Sequence, residues 1–305
     1  MKRGRRILLI LMGCGVVAFT GALMWPRERE PVYQGKRLSE WLGAYELGYV
    51  SVTEQRFADN EKEAASNAIR NLGTNCLPWL VRWIGYEPPA LRDRFRGILW
   101  KLPMSIRLRL WEGDRLSMDA VEGFRILGRA AGPAVPELAR LMNDGNRKAS
   151  RLRAMHALKR VGEEGFPPLL AVLNKGVATN PLDDFTVTLD ILDLFRDGVD
   201  ISPAVPAMLL IDRESRKYVS NLVDFAYRHA LAEKPSFLIP ALTNCLSDPR
   251  SGVRSEAVRW IGLMGDRAVG AVPTLKGMLT DPERSVREEA TNAVQRIAPD
   301  DVGGD

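Results

Sequence analysis

Histidine and cysteine are scarce in this chain. His156 and His229 are its two histidines, and Cys14, Cys76 and Cys245 its three cysteines, among 305 residues. Metal sites of the zinc type need such ligands clustered at short spacing, and no two of these five are near neighbours in sequence, so no metal is expected. Three cysteines make no disulfide framework. Phosphate loops, a Gly-x-Gly-x-x-Gly fingerprint and a Gly-x-Ser-x-Gly elbow are all missing. Two carboxylate pairs, Glu163-Glu164 and Asp183-Asp184, are adjacent in sequence, and adjacent residues on a helix point apart. Asp183-Asp184 follows Asn180-Pro181, where acids suit the start of a helix. No catalytic, cofactor-binding or metal-binding residue is assigned, and the chain reads as a non-enzyme.

Charge asymmetry is also small once its source is located. The net charge is +5, and Lys2, Arg3, Arg5 and Arg6 supply four of those charges, leaving 39 basic against 38 acidic residues in the remainder. The basic balance therefore gives no argument for nucleic acid. Behind those four residues, Ile7 to Trp25 is a run of 19 without charge, long enough to cross a bilayer core as a helix. Positive residues stay on the cytoplasmic side, so the bulk of the chain is expected to be extracytoplasmic (periplasmic side). Two rivals remain open: cleavage as a signal peptide, and lipidation of Cys14 in the lipobox-like Leu11-Met12-Gly13-Cys14. The run stays apolar after Cys14, which favours an uncleaved anchor.

What the chain has in abundance is repetition. Pro136, Pro168, Pro206, Pro240 and Pro273 each precede an apolar run, at separations of 32, 38, 34 and 33 residues. A period of this size marks a solenoid of helical hairpins, each burying its apolar face against its neighbours. Asp248-Pro249-Arg250-Ser251-Gly252-Val253-Arg254 recurs 33 residues later as Asp281-Pro282-Glu283-Arg284-Ser285-Val286-Arg287. Each Pro suits the first turn of a helix A, and Asp-Pro ends that helix. Val253, Ala257, Trp260 and Ile261, and then Val286, Ala290, Ala293 and Ile297, give helix B its apolar face. Gly128, Gly198 and Gly265 each stand eight residues before the next repeat Pro, and Gly73 and Gly162 do so less regularly. They are expected to close helix B as left-handed caps.

The Ala-Val-Pro starts at 134–136, 204–206 and 271–273, the turn Asp and the Val-Arg that opens helix B resemble the HEAT family of helical repeats. That resemblance implies an all-α fold, a right-handed α-α superhelix, here set behind a single N-terminal transmembrane helix. It also implies that Asp248, Arg254, Asp281 and Arg287 form a structural ladder along the stack. The segments expected are an anchor (1–26), a linker (27–36), capping and irregular repeats (37–116), HEAT-like repeats (117–298) and a tail (299–305). Adjacent helix layers lie roughly 10 Å apart, which puts Cys76 and Cys245 out of bridging range, so both read as buried free thiols. The string Tyr33-Gln34-Gly35-Lys36-Arg37-Leu38-Ser39-Glu40-Trp41-Leu42 resembles a group of bacterial membrane-anchored HEAT-repeat proteins, and no activity comes with that resemblance. It reads as the cap that solenoids require.

Three charge features remain. Between residues 82 and 116, Arg92, Arg94 and Arg96 lie among Trp83, Trp100 and Trp111. The preferred reading is a long irregular hairpin with tryptophans in the core; the rival is a contact for an anionic polymer or lipid. Residues 145–162 hold Arg147, Lys148, Arg151, Arg153, Lys159 and Arg160 and no acid, while 181–200 carries six aspartates and one arginine. Lateral pairing between neighbouring helices is the simpler reading; the other is a basic groove for an acidic partner. The preferred function is a membrane-tethered scaffold for protein partners. Its rivals are a polymer or lipid binder and an enzyme, since some HEAT-like proteins act on DNA bases and others attach or detach bilins. Nucleic acid is disfavoured by the expected location. An N-terminal epitope tag should stay on the membrane-extracted protein; its loss would mean cleavage at a signal-peptide or lipobox site.

Overall fold

Helical hairpins follow one another along the chain, and the structure, a computed structural model, describes residues 29–47, 55–89, 92, 94–175, 188, 190, 191, 193, 194, 197–215 and 235–299. The expected anchor at 7–25, Cys14, Asp183-Asp184 and His229 lie outside these residues. Among the described residues, no helix is long and apolar enough to cross a membrane.

The described residues begin with a strand pair, β1 (Val32–Tyr33) and β2 (Lys36–Arg37), antiparallel with Tyr33 opposite Lys36. An all-α reading does not contain it. Gln34 and Gly35 both have positive φ (48° and 79°), which a two-residue hairpin turn requires. Helix α1 (Leu38–Leu47) follows, with Leu38, Trp41, Leu42 and Tyr45 buried. The Trp41 indole N–H donates to the Tyr33 carbonyl at 3.1 Å, fixing the hairpin to the helix. Next come α2 (Gln55–Leu72), α3 (Leu77–Ile84), two short helices α4 (Arg96–Leu99) and α5 (Met104–Leu110), and α6 (Glu112–Leu127). Helix α6 packs on α1, α2 and α3. The repeating part continues with α7 (Val135–Met142), α8 (Lys148–Val161), α9 (Phe166–Asn174), α10 (Val205–Ser215), α11 (Pro235–Cys245), α12 (Ser251–Leu263), α13 (Val272–Gly277) and α14 (Arg284–Ile297).

The helix B residues read from the sequence are all buried: Val253, Ala257, Trp260 and Ile261 on α12, and Val286, Ala290, Ala293 and Ile297 on α14. These two helices pack directly on each other. Each large aliphatic side chain so buried contributes about 1.5–3 kcal/mol. Pro136, Pro206 and Pro273 occupy the second position of their helices, as a missing N–H requires. Pro240 departs from this, lying inside α11, which Pro235 opens.

The hinge glycines have positive φ at all five positions, Gly73, Gly128, Gly162, Gly198 and Gly265. At Gly128 and Gly162 the conformation corrects the expected left-handed cap. Gly128 has φ 52° and ψ −131°, and Gly162 φ 92° and ψ −134°. This is an extended, positive-φ kink open essentially to glycine alone. It redirects the chain out of helix B, and a short 3-10 turn then leads into the next helix A, as in 128–134 and 265–271. Cys76 and Cys245 are buried free thiols, pushed by burial up to about 12 and about 11, so neither is a ready nucleophile.

Helices α12 and α14 approach closely at Gly262 on α12. A Cβ there would sit 2.8 Å from the Ala293 Cβ and 2.9 Å from its Cα. Gly262→Ala should cost about 1–3 kcal/mol through forced separation of α12 and α14. Gly270→Ala, whose Cβ would meet nothing within 4 Å, should leave stability nearly unchanged. Urea denaturation of both variants checks this; equal stabilities would refute the close-packing account.

Candidate functional site

Asp281 and Arg254 show how adjacent hairpins are coupled. Arg254 sits one turn into α12 and donates through Nε and Nη2 to the two Asp281 carboxylate oxygens, both at 2.9 Å. Its Nη1 reaches back to the carbonyls of Asp248 and Pro249 at 2.9 and 3.2 Å. Arg287 repeats that second contact on the Asp281 and Pro282 carbonyls, at 2.7 and 3.0 Å. One arginine thus closes its own turn and grips the aspartate of the following hairpin. The aspartates also shape their turns: Asp248 accepts from the Arg250 N–H and Asp281 from the Glu283 N–H, each at 2.9 Å. The hydrogen bond from the Arg254 guanidinium holds the Asp281 carboxyl below its ordinary value, and Arg250 does the same for Asp248.

The same geometry recurs at Asp144, which accepts from the Asn146 N–H at 3.1 Å. This turn is one residue longer. Arg151, four residues after the N-cap Arg147, takes the place on α8 that Arg254 holds on α12. The sequence reading missed this equivalence because the inserted residue breaks the Asp-to-Arg spacing.

The basic stretch at 147–153 divides. Arg153 is only 9% exposed. Its Nε donates to the Ile84 carbonyl at 3.2 Å and its Nη2 to the Tyr86 carbonyl, so it closes the C-terminal end of α3 and does not belong to a docking surface. Glu87 completes the junction by accepting from the Ser150 N–H at 2.7 Å, in the first turn of α8. Arg147 is exposed, 3.8 Å from Asp144, and Lys148 is exposed beside it. Farther along α8, Lys159 contacts Asp190 at 2.8 Å and Asp193 at 2.7 Å, and His156 lies 3.1 Å from Asp190. Burial lowers the Lys159 ammonium, but the two aspartates outweigh it and hold the group above its ordinary value. The basic and acidic blocks therefore meet side by side here. His156 is spent on this contact, and no metal-ligating cluster occurs among the described residues.

The tryptophan-rich stretch corrects the expectation of a tryptophan core. Trp79 and Trp83 pack against the core, but Trp100 is 56% exposed, and Ile98, Met104 and Leu108 are 63%, 62% and 66% exposed. Helix α5 has no buried residue. Arg92 is not a free surface charge: it forms a two-pronged pair with Asp114, one prong at 2.9 Å, and its guanidinium lies 5.5 Å from the Trp111 ring. Arg94 is exposed, and the side chain of Arg96 lies outside the described residues. Trp100 contacts Trp111 at 5.7 Å between ring centroids, and Arg107 stands 4.8 Å over Trp100. A signal for this exposure was present: from Arg94 to Trp111 the sequence has five basic residues and no acid.

Arg254→Ala should destabilise the stack by about 3 kcal/mol, because Asp281 is left buried and unpaired. Arg250→Ala, on an exposed pair, should cost under about 1 kcal/mol. The lowered Asp281 carboxyl contributes stability that is full above about pH 4, its unfolded value, and lost as pH falls through the folded value. The stability gap between the native chain and Asp281→Asn, measured by urea denaturation across pH, should therefore close in acid. A gap that does not change with pH would exclude the carboxylate as its source.

Residues 239–302 match the family described as HEAT repeats. Among solved structures, the crystal structure of an engineered protein is 16% identical, covering 85% of this chain and 96% of its own, with a TM-score of 0.23; so low a score carries no argument. No curated protein is significantly similar to the chain. The match spans α12, α13, α14 and the Asp281–Arg254 bridge, so this protein carries HEAT repeats over residues 239–302.

Proposed function

We propose that this protein is a membrane-tethered scaffold that binds protein partners through its helical repeats, with the repeats on the extracytoplasmic side. The observation that carries the reading is the HEAT-repeat match over 239–302, since repeats of this kind act by presenting an extended surface. The tether rests on the uncharged run at 7–25 behind Lys2, Arg3, Arg5 and Arg6. In the basic stretch, Arg147 and Lys148 are exposed, and they suit an acidic partner; Arg153 and Lys159 are already committed within the stack.

Crosslinking of intact cells, followed by purification of the full chain from membranes, tests this directly. A recurrent protein from outside the cytoplasm is the expected companion. Recovery of cytoplasmic proteins or DNA would overturn the topology. Reversing charge at Arg147 and Lys148 should weaken recovery of the partner about tenfold, equivalent to 1.4 kcal/mol. Undiminished recovery would remove these two residues from the contact.

A further inference from the structure

Among the described residues, the helical pair α4–α5 stands apart from the repeats. It breaks the repeat rhythm and turns its large apolar side chains outward. Ile98, Trp100, Met104 and Leu108 are all more than half exposed. Contiguous exposed apolar surface beyond a few hundred Å² marks an interaction site. Charge narrows the choice of occupant. Residues 94–111 read Arg-Phe-Arg-Gly-Ile-Leu-Trp-Lys-Leu-Pro-Met-Ser-Ile-Arg-Leu-Arg-Leu-Trp, with five cations and no anion. Arg107 and Arg109 are two positions apart in the run from Ile106 to Leu110, so on a helix they point to nearly opposite sides and every apolar strip is flanked by cations. The desolvated core of a protein interface is poor in charge. An anionic bilayer surface instead takes both at once: apolar groups enter the acyl boundary while long basic side chains reach back to the phosphates.

We propose that α4–α5 inserts shallowly into the interfacial region of a bilayer containing anionic lipids. Trp100 lies at headgroup depth, where its amphipathic ring is favoured, and Arg107 over its face accompanies it to the phosphate layer. Arg94, Lys101 and Arg109, all exposed, supply the attraction to anionic lipid. The base of the element is fixed: Arg92 and Asp114 pair beneath Trp111, on which Trp100 packs. Insertion therefore orients the repeats against the membrane. The proposal does not require residues 7–25 to span a bilayer.

The test uses the full chain with vesicles of phosphatidylcholine, with and without phosphatidylglycerol, carrying brominated acyl chains that quench nearby tryptophan. The share of quenching lost in Trp100→Phe reports this element, and the share lost in Trp25→Phe reports the N-terminal run, so the two readings fail separately. Quenching of Trp100 should be strong with phosphatidylglycerol, fall severalfold without it or in high salt, and fall about tenfold in Leu108→Glu. The Trp100 and Leu108 side chains are exposed, so thermal melting of Trp100→Phe and Leu108→Glu should match the native chain. Trp100 left unquenched in anionic vesicles overturns the proposal. So does a native oligomer that Leu108→Glu converts to monomer, since a second copy of the chain would then cover the patch.

Discussion

A helical hairpin of this size has an apolar face and nothing of its own to bury it against. That single constraint sets most of what is seen here. Helix α12 is buried by α14 and by α10, and the residues that touch must be small where the backbones come closest, which is why Gly262 faces Ala293. The same constraint requires each helix B to be released at a fixed point so that the next hairpin lands in register. Five glycines with positive φ provide that release, and Gly128 and Gly162 adopt a conformation that a Cβ would forbid. Apolar packing alone would tolerate sliding between layers, since it is not directional.

Direction comes from charge. The bridge between Arg254 and Asp281 ties the turn of one hairpin to the turn of the next through paired, nearly parallel contacts, a geometry that guanidinium and carboxylate planes match and an ammonium does not. Lys159 uses two aspartates to a similar end, and Arg153 with Glu87 joins the first third of the chain to α8. Buried ion pairs are weak sources of net stability against apolar alternatives. Their value here is in fixing register, which a stack of near-identical layers needs most. It follows that many of the conspicuous charges in this sequence are internal fasteners, and charge density along the chain is a poor guide to its contact surface.

Legibility in the sequence tracked this division. The period, the helix B faces and the positions of the hinge glycines, though not the backbone angles of Gly128 and Gly162, were readable because each follows from local stereochemistry repeated several times: Val286, Ala290, Ala293 and Ile297 share one helical face whatever their neighbours do. Which charges were spent was readable only in part: the Arg254–Asp281 bridge and the pairing of the basic block with the acidic one were expected, but the role of Arg153 was not. Arg151 and Arg153 lie two positions apart in one basic run, yet Arg153 closes a helix some sixty-seven residues earlier, on Tyr86, a contact no local pattern encodes. The strand pair at 32–37 was hidden for a different reason. Two residues per strand are too few for an alternating pattern, and only the positive-φ demand on Gly35 left a trace.

Trp100 is the most instructive departure. Tryptophan is usually buried, and that preference governed the reading of residues 82–116, although the surrounding sequence carried contrary information. A core helix has a polar face as well as an apolar one. Helix α5 has cations distributed among its apolar residues, so no rotation about its axis hides one set and exposes the other. The structure resolves the conflict by burying neither. Among the described helices, the segment outside the period also holds α5, which packs along α6 without burying any of its own side chains. The break in rhythm and the exposed apolar surface are therefore one fact seen at two levels. What covers that surface must accept apolar side chains and many cations over the same few ångströms, and an anionic lipid interface has that composition through its depth.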